Sequence, residues 1–192
     1  EHYLSTLDKG TNAGENALMY YSDDFKRLLS EGKPVEEAVK AIDKGGVPAM
    51  FWYSTNLGRW AKTKGFSTIL LYKNRVKTVM DHIISLDDSY FYHAPHRYMA
   101  AFYSVAPGFA GGDINKAKEE FDLLKNKHPN HFVVNTLMAE VYATKIQDKE
   151  LYQKLLQEVI SGNPDSMPDI KPEQELEQKK AKAMMAQVDE LF

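Results

Sequence analysis

Two pairs of histidines, His93/His96 and His128/His131, carry the spacing that can hold a metal, and His96 is joined by Arg97. On one regular helical turn such a pair could bind zinc, but Pro95 splits the first pair and Pro129 the second, and no third or fourth ligand is evident. His96 could serve as a general base near neutral pH. No nucleophile or orienting partner is readable beside it, so a base alone does not make an active site. Asp23-Asp24 and Asp87-Asp88 read as charges at helix ends, because a catalytic carboxylate pair needs burial and mutual geometry. No phosphate-binding loop, dinucleotide fingerprint, HExxH or GxSxG is present, so neither a cofactor nor catalysis is implied.

Recognition chemistry is the better match. Residues 46–61 read GVPAMFWYSTNLGRWA. At helical spacing Trp52, Asn56, Arg59 and Trp60 share one face, next to Tyr53. A bulky aromatic face with an amide and a guanidinium suits a lined cavity. Trp60 is equally suited to anchoring a core. His96 and Arg97 fall in the first turn of a helix opened by Pro95, where free backbone N–H groups favour an anion. With Arg59 and Tyr103 they would make a cavity aromatic on one wall and cationic at one end, suited to a carboxylate. The competing reading has His96 and Arg97 capping a neighbouring helix or pairing with Asp113.

The elements that must position these residues are helical nearly throughout. One stripe runs Leu18, Tyr21, Phe25, Leu28, Leu29 and stops at Gly32. Pro34 opens a short helix, and Pro48 stands as a first helical residue after Gly45-Gly46. Ser67 is a candidate cap for a helix through Leu71, Val76, Met80 and Ile83. Gly111, Gly112 and Asp113 form a flexible break followed by an N-cap. Ala117, Phe121, Leu124 and Pro129 match the second helix of a tetratricopeptide repeat. Met138, Ala139 and Tyr142, then Leu151, Leu155 and Val159, fit a further unit. Residues 165–172 are a proline-rich linker, and the last helix carries an inner stripe of Leu176, Lys180, Ala183, Met184, Gln187 and Leu191. The expectation is an all-α chain, a single domain over residues 1–192, folded as a tetratricopeptide-like superhelix with a C-terminal capping helix.

Composition agrees with a binding protein. The 192 residues are 43% hydrophobic and 27% charged, with net charge −3, so no basic field draws the chain to nucleic acid. No apolar run is long enough to span a membrane. With no cysteine there are no disulfides and no thiol nucleophile. The chain begins at Glu1, which is compatible with a leader or anchor segment upstream.

The run at residues 46–61, then YHAPHRYMAAFYS, then Gly111-Gly112-Asp113 with Ala117 and Phe121, and the closing KKAKAMMAQVDELF resemble, in that order, the T-component proteins of TRAP transporters. The resemblance covers about residues 14–192. It implies a periplasmic lipoprotein with tetratricopeptide-like repeats, anchored through its precursor. It also implies partnership with the solute-binding (P) subunit of a tripartite ATP-independent transporter. A small hydrophobic or organic-acid ligand would be held or passed in a cavity. Trp52, Tyr53, Asn56, Arg59, Trp60, Pro95, His96, Arg97 and Asp113 fall on matching motif positions, and none carries a catalytic role. Homo-oligomers are compatible with this reading. The alternative is a pure protein–protein scaffold with no ligand cavity.

Overall fold

The computed structural model describes residues 2–192, and every regular element among them is helical. Two compact units are distinguished, one running to Tyr98 and one spanning Met99–Phe192, and each is described by itself.

The first unit is built on three long helices, α1 (His2–Tyr21), α4 (Val47–Lys64) and α5 (Phe66–Asp87). Helix α4 packs against both α1 and α5. The shorter α2 (Asp23–Ser30) and α3 (Val35–Ala38) fill the connection between α1 and α4. The stripe expected from Leu18 to Leu29 therefore falls on two helices. Ser22 separates them, its hydroxyl accepting from the Phe25 amide at 3.1 Å as an N-cap. Leu18 and Phe25 are fully buried, whereas Tyr21 is exposed. The α1–α4 approach is close because Gly10 and Gly14, one turn apart, face α4. A Cβ on Gly14 would stand 2.8 Å from Tyr53 Cβ and 2.9 Å from its Cα. Val76, Val79, Met80 and Ile83 of α5 complete the core. Gly65, at φ 110°, both ends α4 and begins α5, so the cap expected at Ser67 is not there; the helix has already started at Phe66. Pro48 sits one residue inside α4, behind Val47.

Helix α6 (Tyr90–Val105) contains a reversal of hand that nothing in the sequence announces. Phe91, Tyr92 and His93 all have φ between 46° and 57°, one turn of left-handed helix before the regular right-handed part. Each such residue costs about 1–2 kcal/mol when it carries a Cβ. Pro95, expected to open the helix, lies within it, just after the change of hand.

The second unit contains α7 (Ile114–Lys127), α8 (Phe132–Leu137), α9 (Thr144–Ile146), α10 (Lys149–Ser161), α11 (Lys171–Ala186) and α12 (Val188–Leu191). A π-helical segment, Met138–Ala143, joins α8 to α9. The repeat-pattern residues make the core: Ala117, Phe121, Leu124, Ala139, Leu155 and Val159 are fully buried, with Met138 and Tyr142 nearly so. Helix α11 packs on α8 and α10. Its inner face is not the expected stripe. Leu176 is 62% exposed and Lys180, Ala183 and Gln187 face solvent, while Gln174, Ala181 and, on α12, Val188 are buried. Glutamines occupy the inner face because they satisfy ends of other helices. Gln174 accepts from the Phe132 amide at 3.0 Å and donates to the Asn130 carbonyl at 2.7 Å. Gln178 donates to the carbonyls of Val159 and Gly162 at 3.1 and 2.8 Å.

Candidate functional site

The buried face of α4 is Val47, Met50, Phe51, Tyr53, Ser54, Leu57 and Ala61. That leaves Trp52 half-exposed and Arg59 in solvent. Asn56 turns its amide back on its own helix, donating to the Trp52 carbonyl at 2.7 Å. The expected wall of Trp52, Asn56, Arg59 and Trp60 is thus not one wall. Its members span too wide an arc, and only Trp60, with Tyr53 from the adjoining buried face, reaches a cavity.

That cavity has a volume of about 220 Å³ and lies wholly in the first unit. Helix α1 contributes Asp8, Thr11, Asn12 and Glu15, a polar stripe at i, i+3, i+4 and i+7. Helix α4 contributes Tyr53, Leu57 and Trp60, and α5 contributes Tyr72 and Arg75. Trp60 and Tyr72 meet edge to face at 5.7 Å. The Arg75 guanidinium stands over the Tyr72 ring at 5.4 Å, and its Nε lies 3.7 Å from a Glu36 carboxylate oxygen. Burial pushes the Tyr53 phenol above its usual range, an effect that the neighbouring Arg75 opposes. Two buried donors lining this space, Trp60 Nε1 and Arg75 Nε, make no hydrogen bond within the protein. The cation at the cavity is therefore Arg75, not Arg59.

Sequence reading missed Arg75, Tyr72 and the whole stripe on α1. The usable signal was the period of Leu4, Leu7, Thr11, Gly14 and Leu18, whose helical repeat puts Asp8, Asn12 and Glu15 along its edge. Gly10 and Gly14 disguised it, because glycine in mid-helix reads as a break.

Trp52 serves another structure. Its ring meets Phe51 at 5.3 Å and Phe91 at 6.3 Å, in an aromatic cluster that includes Tyr90. This cluster flanks the left-handed turn. Arg97 Nη1 donates to the Tyr92 carbonyl at 2.7 Å and to that of Phe91 at 3.3 Å, and the guanidinium lies 5.9 Å from the centre of the Phe91 ring. Arg97 thus holds the carbonyls of the strained turn, close to the capping role weighed against the ligand role. His93 and His96 are buried, their rings 5.9 Å apart. Among the described residues no group of three or more His, Cys, Asp or Glu is placed to hold a metal ion.

In the second unit, Tyr103 packs on Phe102 at 5.7 Å with Lys116 over its ring, and its carbonyl accepts from the Asp113 amide at 3.0 Å. Gly111 adopts φ 97°, and a Cβ on Gly112 would collide with the Ala106 carbonyl. Asp113 accepts from the Asn115 and Lys116 amides at 3.0 and 3.2 Å, the expected N-cap. The glycine–glycine–aspartate motif therefore ends α6 and starts α7. A wider surface groove of about 560 Å³ runs beside α7, the π-helical segment and α10, with Lys118, Asp122, Tyr142 and the half-exposed Ile146 in its lining.

No helix among the described residues is long and apolar enough to cross a membrane. No curated protein matches the chain. Residues 5–192 match the family model described as TAtT, TRAP transporter T-component.

Proposed function

Because the chain belongs to the TRAP transporter T-component family, with an accessory role in such a transporter, we propose that it is a non-enzymatic periplasmic protein that docks the transporter's solute-binding subunit. Its precursor carries the lipid anchor, and its first-unit cavity holds a small ligand on the way to or from that subunit. The observation that carries this reading is the family match over residues 5–192. Two structural features support it. The cavity between α1, α4 and α5 offers polar groups that the fold itself does not use. The groove of the second unit, lined by both charged and apolar side chains, is the surface we assign to the partner.

The test is co-purification from periplasmic extract with this protein as bait, followed by mass spectrometry. Recovery of a TRAP solute-binding subunit is expected. Ile146→Asp should reduce it by about tenfold, because a charge buried without a partner costs well over 1.4 kcal/mol at an interface. Recovery of no TRAP component by the unmodified protein would overturn the reading. Recovery unaffected by Ile146→Asp would move the docking surface elsewhere.

A further inference from the structure

The two unfilled donors of the first-unit cavity sit opposite two carboxylates, and this pairing specifies a ligand more narrowly than either wall alone. Buried polar atoms in folded proteins are nearly always hydrogen-bonded, so exceptions within a cavity mark places where something other than the chain completes the bond. Trp60 Nε1 and Arg75 Nε are two such atoms on the same cavity. Indole N–H can only donate, and the guanidinium can only donate, so the missing group is an acceptor. A carboxylate suits both, and arginine binds carboxylate with fixed fork geometry.

An anion alone does not fit the opposite wall. Asp8 and Glu15 stand one helical stripe apart on α1, and Glu36 already lies beside Arg75. A simple carboxylic acid entering here would meet net negative charge. A simple amine would satisfy Asp8 or Glu15 and leave both donors unfilled. Thr11 adds an acceptor to this wall, since its hydroxyl proton is given to the Leu7 carbonyl at 2.9 Å. A molecule with a carboxylate at one end and an ammonium at the other matches both walls. The size agrees: about 220 Å³ falls below the roughly 300–1,000 Å³ of cavities for drug-sized ligands. Leu57 with the Trp60 and Tyr72 rings provides an apolar surface for a short side chain.

We propose that the cavity of the first unit binds a zwitterionic α-amino acid, its carboxylate held by Arg75 and Trp60 Nε1 and its ammonium by Asp8 and Glu15. This rests on the ligand-holding part of the proposed function and narrows its ligand class from hydrophobic or organic-acid molecules to amino acids.

The test is equilibrium dialysis of the protein against an equimolar mixture of the standard α-amino acids, with each concentration read by mass spectrometry on both sides. Parallel mixtures of their N-acetyl derivatives and of their carboxamides remove one charge at a time. Enrichment of at least one free amino acid is expected, without enrichment of its N-acetyl or amide form. Trp60→Phe and Arg75→Met should each lower that enrichment by about tenfold or more, the usual weight of a hydrogen bond to a charged group. Circular dichroism checks the fold of each variant. If Arg75→Met is unfolded, Trp60→Phe decides, since it removes the N–H while keeping an aromatic ring. The proposal is overturned if no free amino acid is enriched, if the blocked forms are enriched equally, or if folded Trp60→Phe retains full enrichment. A protein that captures the solute-binding subunit but enriches no amino acid loses this inference alone. One that enriches an amino acid but captures no subunit loses the transporter role alone.

Discussion

Replacing Gln174 by alanine should destabilise the second unit out of proportion to the size of the change. The side chain is 1% exposed and makes two bonds at once, accepting from the Phe132 amide and donating to the Asn130 carbonyl. Phe132 is the first residue of α8, so its N–H has no partner within the helix. Leaving that buried amide unpaired costs about 1–3 kcal/mol. The Asn130 carbonyl is only partly buried and can recover some of its bond from water, so its share is about 0.5–1 kcal/mol. The sum is roughly 2–4 kcal/mol, a large part of the stability of an ordinary domain. Equilibrium urea unfolding followed by circular dichroism measures it, and amide exchange at Phe132 reports the bond directly. Gln174→Glu is the informative comparison. It keeps the acceptor for the Phe132 amide and places a negative charge at a helix start, but loses the donor to Asn130, so its stability should fall between the other two. A loss under about 0.5 kcal/mol for Gln174→Ala, with Phe132 exchange unchanged, would refute the claim that this glutamine is a helix cap.

Gly14→Ala should also destabilise, by up to about 2 kcal/mol in thermal unfolding: overpacking against Tyr53 costs about 1–3 kcal/mol, while helix propensity returns about 1. A stabilised Gly14→Ala protein would contradict the close α1–α4 approach. Burial pushes the Tyr98 phenol up to about 12 from its usual 10.0. Because the folded value lies above the unfolded one, the associated stability is complete below pH 10.0 and is lost as pH rises towards 12. Tyr98→Phe should therefore flatten the alkaline loss between those values in pH-dependent unfolding, and an unchanged profile would count against the buried phenol.

The helical class was readable because apolar residues recur at 3.6-residue spacing in most segments, and the positions that matched a repeat pattern, from Ala117 to Val159, are core. Caps formed by a single side chain were also readable, as Asp113 demonstrates. The candidate site was much less so. Trp52 and Arg59 drew attention by residue type, yet the phase of α4 is set by Met50, Tyr53, Leu57 and Ala61, and that phase turns both outward. Arg75 looks like any surface charge in sequence, since its role depends on α5 lying beside α4. Gln174 and Gln178 reversed the expected face of α11 for a related reason: a polar residue can be the inward one when another helix ends against it. The left-handed turn at Phe91–His93 had no local signal, because neither glycine nor asparagine stands there.

The wide turn at Met138–Ala143 bears on how this protein could diverge. Thr144 Oγ1 reaches back five residues to the Ala139 carbonyl at 3.0 Å, the spacing of a helix holding one residue more than an α-turn does. Deleting one residue there would leave an unbroken α-helix. Everything after the deletion, however, would be rotated by about 100°, the angle one residue occupies in such a helix. Tyr142, which meets Phe121 at 6.1 Å, and Ile146 on the groove would no longer keep their present bearings together. A single-codon loss could thus redraw this surface while sparing the helix, an evolutionary step that no point substitution in the segment can match.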